Sequence, residues 1–424
     1  MPASRLPTLP TTTSSHGVDG GTPDLQDEGL PRETFQPPEP ATMDNLRVSF
    51  LDRICRVTWG WFSISMSTGS IATLLYNCPH TFDGLLIIGK IFFILDIVSY
   101  LGIWTSLIIR FSRVPRALID TFNDPEESYL IATAALGFAT ILFGIEIYGI
   151  PACGVWLRWV QLVCFWIYTA IAICLAVGMN WHLYRTRMAA RQPFWLVRLL
   201  SSFPAMLGGT IASLLTSAQP SHYAIPMLIA GTALQGFGFM ISVFILAEYI
   251  HGLHHQGLPP MRRRPQMFIA TATEKFPVHL IPIANRVNTA DVLLVMAVFI
   301  SIFLWIVALF CWSIGWLSIF DARREWKFDI TWWATVFPNT GFALAIIKIG
   351  DLLDSSAIQG VGTAATLIQV ILWLGCASMH IWAYFTRRTL WPGMNEGFGP
   401  DEHQQEAALD LEGEVRSYKG SSSA

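Results

Sequence analysis

TWWATVFPNTGFALAIIKIG, Thr331 to Gly350, has the length and apolar character of a membrane span. Near its middle stands Phe337-Pro338, followed by Asn339, Thr340 and Gly341. A proline at that place removes a backbone donor and pushes a helix off axis. Such a break is tolerated at membrane depth where the freed backbone groups meet protein or a watery cavity rather than lipid. The stretch therefore predicts a membrane helix that bends beside an internal path.

The rest of the chain suits that reading. Hydrophobic residues make up 53% of its 424 positions and charged ones 13%, which points to a polytopic membrane protein rather than a soluble one. The net charge of −3 offers nothing to a nucleic acid. Residues 1–45 are rich in Pro, Thr, Ser and Gly and lack an apolar signal core, so they read as a disordered cytoplasmic tail. Residues 394–424 are polar and acidic and read as a second one. The membrane domain falls between them, at 46–393.

Apolar stretches long enough to cross a bilayer lie at 56–77, 84–110, 128–149, 155–183, 194–217, 222–250, 289–317, 329–349 and 358–386. Arginines flank alternate connections: Arg47, Arg53 and Arg56, then Arg110, Arg113 and Arg116, then Arg185, Arg187 and Arg191, then Arg262, Arg263 and Arg264. The short loops between carry no basic residue, which places the amino terminus in the cytoplasm. Nine spans would break the rule after the sixth. A tenth crossing at 266–285 restores it and puts Arg387 and Arg388 inside as well. That segment holds Glu274, Lys275, Pro277, His279 and Pro282, so it crosses shielded by protein, or else forms a cytoplasmic or re-entrant loop.

Ten spans make five hairpins, and their first helices share features. Phe203-Pro204, Phe276-Pro277 and Phe337-Pro338 mark the third, fourth and fifth. The first has Phe62, Thr68 and Gly69; the second has Phe138. The fold class expected is all-α, with odd-numbered helices kinked and inner and even-numbered helices outer, around a central pore. Phe337 would then either plug the path or pack as a core aromatic. Gly208, Asn339, Thr340 and Gly341 complete the small or polar positions expected at the pore or at its kinks.

Asp96 lies in mid-span, where a carboxylate must be neutral, paired or wet. It reads as a proton relay or as a structural acid. Lys348 reads as an anion-attracting charge at the outer mouth or as a snorkelling anchor. His251, His254 and His255 lack a carboxylate at metal-site spacing, and the seven cysteines show no CxxC, so neither a metal nor a cofactor is expected. Cys78 and Cys153, near one predicted outer face, are the pair that a disulfide would join. The chain has no HExxH, no GxSxG and no paired mid-span acids, which argues against an intramembrane enzyme.

Several stretches together resemble the tellurite-resistance/dicarboxylate transporter (voltage-dependent anion channel) family, nearest to fungal malic acid permeases. They are TWGWFSISMSTG (58–69), IGKIFFILD (88–96), FPAMLGGTIAS (203–213), QPSHYAIPMLIAGTALQGFGF (219–239), WWATVFPNTGFALA (332–345) and LWPG (390–393). The resemblance implies five helical hairpins around a pore, and a small anion as substrate. Malate or another C4 dicarboxylate is first in order and sulfite the alternative, with proton coupling a family expectation. It further implies a gate at Phe337, kinks at Pro204 and Pro338, a plasma-membrane lipid bilayer as surroundings, and a homotrimer as the possible assembly. Gln266 departs from the family pattern, standing where a glycine is usual, and Glu274 and Lys275 are unexpected in a pore-lining helix.

Overall fold

The computed structural model of the protein describes residues 49–186, 196–216, 219–275 and 290–391. Both predicted tails lie outside these residues. Every regular element among them is helical. The α-helices run α1 (Phe50–Ile54), α2 (Phe62–Tyr76), α3 (Leu85–Arg113), α4 (Ala117–Asn123), α5 (Pro125–Gly144) and α6 (Ile150–Cys153). They continue as α7 (Leu157–Thr186), α8 (Phe203–Leu215), α9 (Ser221–Gln256), α10 (Ala290–Asp321), α11 (Phe337–Leu352) and α12 (Ser356–Phe385). Seven helical segments among the described residues are long and apolar enough to cross a membrane. The chain is a multi-pass membrane protein.

Burial separates two layers. The most apolar windows of Glu127–Cys153 and Ile330–Leu352 are 72% and 83% buried, against 17% for Val295–Asp321 and 22% for Ser356–Phe385. The outer helices α3, α7, α9, α10 and α12 turn large side chains such as Phe244, Phe299 and Leu367 outward. The inner arms are richer in small and hydroxylated residues. In α2, Ser63, Ser65, Ser67, Thr68 and Ser70 are all buried. Each inner arm packs on the outer helix that follows it in the chain. The inner arms also touch in sequence, and the fifth returns to the first, closing a ring.

The breaks in the inner arms differ from the expected mid-helix kinks. Three arms begin as a 3-10 helix and change to α at a phenylalanine: Trp59–Trp61 before Phe62, Leu196–Ser201 before Phe203, and Ile330–Thr335 before Phe337. Pro204 and Pro338 therefore sit in the first turn of an α-helix. The missing N–H costs nothing there, because first-turn amides have no intrahelical partner. The fourth arm is a 3-10 helix over Met261–Lys275, and the remainder of the expected 266–285 span lies outside the described residues, as do Phe276 and Pro277. The second arm departs from the pattern. It is α-helical from Pro125, and its irregularity comes late, as a π turn at Ile145–Gly149. Cys78 and Cys153 are both free, so the disulfide considered between them is not formed.

Glycine sets the helix spacing in the third hairpin. A Cβ at Gly238 would stand 2.7 Å from the Met206 backbone nitrogen and 2.9 Å from the Ser202 carbonyl oxygen. Backbone cannot yield as a flexible side chain can. Gly238→Val is expected to cost about 1–3 kcal/mol, read as a lowered thermal unfolding midpoint in detergent. Gly236→Ala, with nothing within 4 Å of the added atom, should leave the midpoint in place.

Candidate functional site

The ring of inner arms encloses a cavity on the amino-terminal side of the Phe-Pro steps, and all five arms line it. Gly60, Ser63 and Met66 come from the first arm, Leu130 and Thr133 from the second, and Val197, Leu200 and Phe203 from the third. Gln266 and Ile269 come from the fourth, and Ile330, Thr331, Ala334, Phe337 and Pro338 from the fifth. Its volume is about 40 Å³, room for only a few waters. No lining residue carries a charge. Phe203 and Phe337 stand at matching places, each the first residue of its α-helix and each 2–3% exposed.

Some sequence-predicted positions meet at this cavity and others do not. Phe203, Phe337 and Pro338 line it. Phe62, also first in its helix, instead packs against Tyr100 and Trp104 with ring centroids 5.2 and 5.4 Å apart. Phe138 faces Tyr168 at 6.3 Å. The Pro204 carbonyl accepts from the Tyr168 hydroxyl at 2.7 Å. Gly208 lies against Leu234. The Thr68 hydroxyl donates to the Ile64 carbonyl and accepts from Trp373 Nε1. The Thr340 hydroxyl donates to the Phe337 carbonyl at 2.6 Å. Asn339 joins two arms: its Nδ2 donates to the Thr335 carbonyl and its Oδ1 accepts from the Thr271 hydroxyl. Gly341 is buried within α11. Neither Thr68 nor Thr340 lines the cavity, so in this arrangement they do not present hydroxyls to it.

Asp96 is fully buried, away from the cavity lining. It accepts from the Ser65 hydroxyl at 2.5 Å and from the Thr140 hydroxyl at 3.0 Å. Gly69 gives it room, since a Cβ there would lie 2.0 Å from Asp96 Oδ2. Lys348 pairs with Asp351 at 3.4 Å, with both side chains exposed.

Reading the arginine run 262–264 only as a loop charge missed one feature. Arg263 is 4% exposed and belongs to the 3-10 helix Met261–Lys275. Such a helix repeats every three residues, so Arg263, Gln266 and Ile269 share one face, and the last two line the cavity. Arg263 is therefore on the same ridge, one turn toward the amino-terminal end and outside the cavity lining itself. Its neighbour Arg262 lies 3.9 Å from Asp329. Asp329 caps the 3-10 start of the fifth arm, accepting from the Thr331 amide at 2.9 Å. The signal in the sequence was the repeated spacing of three along Arg263, Gln266 and Ile269, which keeps one face only in a helix of three residues per turn.

A closed ring of broken helices around an axial cavity, shielded from lipid by an outer layer of long apolar helices, is the architecture of a membrane transporter or channel. The chain belongs to the voltage-dependent anion channel family, whose model matches residues 56–381. It is 30% identical over 373 residues to a malic acid transport protein of Schizosaccharomyces pombe, covering 83% of this chain and 84% of that one. It is 25% identical over 349 residues to a sulfite efflux pump of Trichophyton rubrum, covering 77% and 91%. A 100-residue stretch is 36% identical to an S-type anion channel of Arabidopsis thaliana, covering 23% and 17%. These are transporters and channels, not enzymes.

Proposed function

We propose that the chain carries small organic anions across the plasma membrane, malate and other C4 dicarboxylates foremost, through the axial path that its inner arms surround. The reading includes ten crossings with both termini in the cytoplasm, and Phe337 as the gate. The observation that carries it is the cavity itself: five arms converge on one axial space, and the Phe203 and Phe337 rings at its wall leave about 40 Å³. A space of that size between aromatic rings is a constriction, and an apolar constriction resists entry of water and ions. Opening requires a ring to leave the axis. Malate is favoured over sulfite because the relative named for malic acid is the more similar over a larger share of this chain, 30% over 83% against 25% over 77%.

The absence of charge on the lining suits transit, since an anion held tightly at the waist would not leave. Attraction is supplied instead at the approach, where Arg263 draws anions toward a low-dielectric mouth.

Uptake of labelled malate by cells expressing the protein, with sulfite as competitor, tests the substrate. Malate uptake above control cells supports the reading. No malate flux, with protection of the cells from sulfite, moves the cargo to the inorganic anion. In the same assay Phe337→Ala should raise flux several-fold at unchanged surface expression; flux unchanged or lowered in a correctly inserted variant removes the gate from Phe337. Arg263→Gln should lower flux most at low substrate concentration, raising KM more than it lowers the maximal rate.

A further inference from the structure

The outer helices share a device that hydropathy does not reveal. Each of four sends a buried amide or carboxyl side chain into the inner layer. In the second hairpin Gln161 Nε2 donates to the Leu142 carbonyl at 3.0 Å. In the fifth, Gln369 Nε2 donates to the Val336 carbonyl at 2.9 Å. In the third, Gln235 is fully buried against α8, so that a Cβ at Gly209 would lie 2.0 Å from its Oε1. In the first, Asp96 stands to Gly69 as Gln235 stands to Gly209, with the same 2.0 Å to its Oδ2. Where the third hairpin places an amide against the inner-arm glycine, the first places a carboxyl.

An ionised carboxylate differs from an amide in what it demands. It needs a cation, several donors or water, and at membrane depth its charge is costly without them. Asp96 has two neutral hydroxyl donors, Ser65 from α2 and Thr140 from α5, and no ion-pair partner among the described residues. The titratable groups on the surrounding elements are engaged or distant. On its own helix the Tyr100 hydroxyl donates to the Ala134 carbonyl, and Lys90 is exposed. On α2 the only such group is Tyr76, at the far end of the helix. On α5, Glu127 pairs with Arg110 at 2.6 Å, and Tyr129 lies near that end as well. Beyond α5, the Tyr148 hydroxyl donates to the Ala72 carbonyl. On α12, which reaches α3 through Trp373 and Phe92, Cys376 bonds the Trp332 carbonyl and His380 Nδ1 accepts from Trp333 Nε1.

We propose that Asp96 is a proton-binding site: a carboxyl held in its neutral form in a slot built for an amide, whose proton locks the first inner arm to the second. The neutral group matches the amides of the other outer helices in charge. Release of the proton leaves a charge between α2 and α5 that only water can satisfy, and water there separates the two arms. Ser65 lies between Ser63 and Met66, and Thr140 lies two turns along α5 from Thr133; Ser63, Met66 and Thr133 all line the cavity. Occupancy of this proton site therefore acts on the wall of the path without touching its contents. Only that last consequence rests on the transport reading, and the test below uses no flux measurement.

The experiment compares wild type, Asp96→Asn and Asp96→Ala, each purified in lipid. Infrared difference spectra at neutral pH should show the carbonyl stretch of a protonated carboxyl in wild type, lost in Asp96→Asn. Thermal unfolding followed against pH should show the wild-type midpoint falling as pH rises through release of that proton, while the Asp96→Asn midpoint stays flat. Asp96→Asn should unfold near wild type, because an amide fits the slot. Asp96→Ala should unfold well below both, because it leaves a void beside Gly69 and strands the Ser65 hydroxyl, while the Thr140 hydroxyl keeps the Gly137 carbonyl. A spectrum without the carboxyl band, an Asp96→Asn protein that fails to fold, or an Asn variant with the wild-type pH dependence would each overturn the proposal.

Discussion

A backbone amide or carbonyl without a partner cannot be left facing lipid, and the architecture follows from that constraint. The inner arms change helix type in mid-course, at Phe62, Phe203 and Phe337, and through a π turn at Ile145–Gly149. Each change disturbs the regular hydrogen-bond ladder. A segment of this kind is stable in a bilayer only if protein surrounds it. The outer helices supply that cover, with side chains as well as with bulk. Gln369 donates to the Val336 carbonyl beside the Phe337 step, and Tyr168 donates to the Pro204 carbonyl. The two layers are therefore one solution to one problem, and the long outer helices can turn an apolar face to lipid because the irregular backbone lies inside them.

Broken arms also cannot pack as closely as regular helices, so a ring of them encloses space. Here that space is small and apolar, and two phenylalanines at equivalent steps form part of its wall. The chemistry at the waist is accordingly exclusion rather than recognition. In the proposed reading charge enters on the fourth arm, at Arg263, and behind the wall, at Asp96, so that an anion is attracted without being trapped and the wall responds to a proton outside the path.

Much of this was legible in the sequence. Hydropathy located nine apolar stretches, and all nine appear as helical segments within a few residues of the expected bounds. The Phe-Pro pairs marked where two inner arms change character. The nature of the change was not legible, because a proline in the middle of an apolar run looks alike whether it kinks a helix or opens one. Residue type also could not say which way a ring turns. Phe62 and Phe337 start equivalent helices, yet one packs on Tyr100 and Trp104 and the other lines the cavity. Thr68 and Thr340 suggested pore hydroxyls, but a threonine inside a helix readily bonds the carbonyl one turn back, and both do so. Arg263 was read as a loop charge because a 3-10 helix as long as Met261–Lys275 is uncommon and its period of three went unnoticed. The likeness of Asp96 to Gln235 emerges only when the hairpins are compared in space.

The central claim is that five inner arms face one axial path closed at Phe337. The most direct measurement replaces the seven native cysteines and places single cysteines at Ser63, Thr133, Leu200, Gln266 and Ala334, one on each arm. Each is then exposed to a small, membrane-impermeant thiol reagent from either side. The account predicts reaction at all five positions from the amino-terminal side alone, and from both sides once Phe337 is changed to alanine. Protection of any one arm from both sides, or reaction from both sides with Phe337 intact, would contradict it.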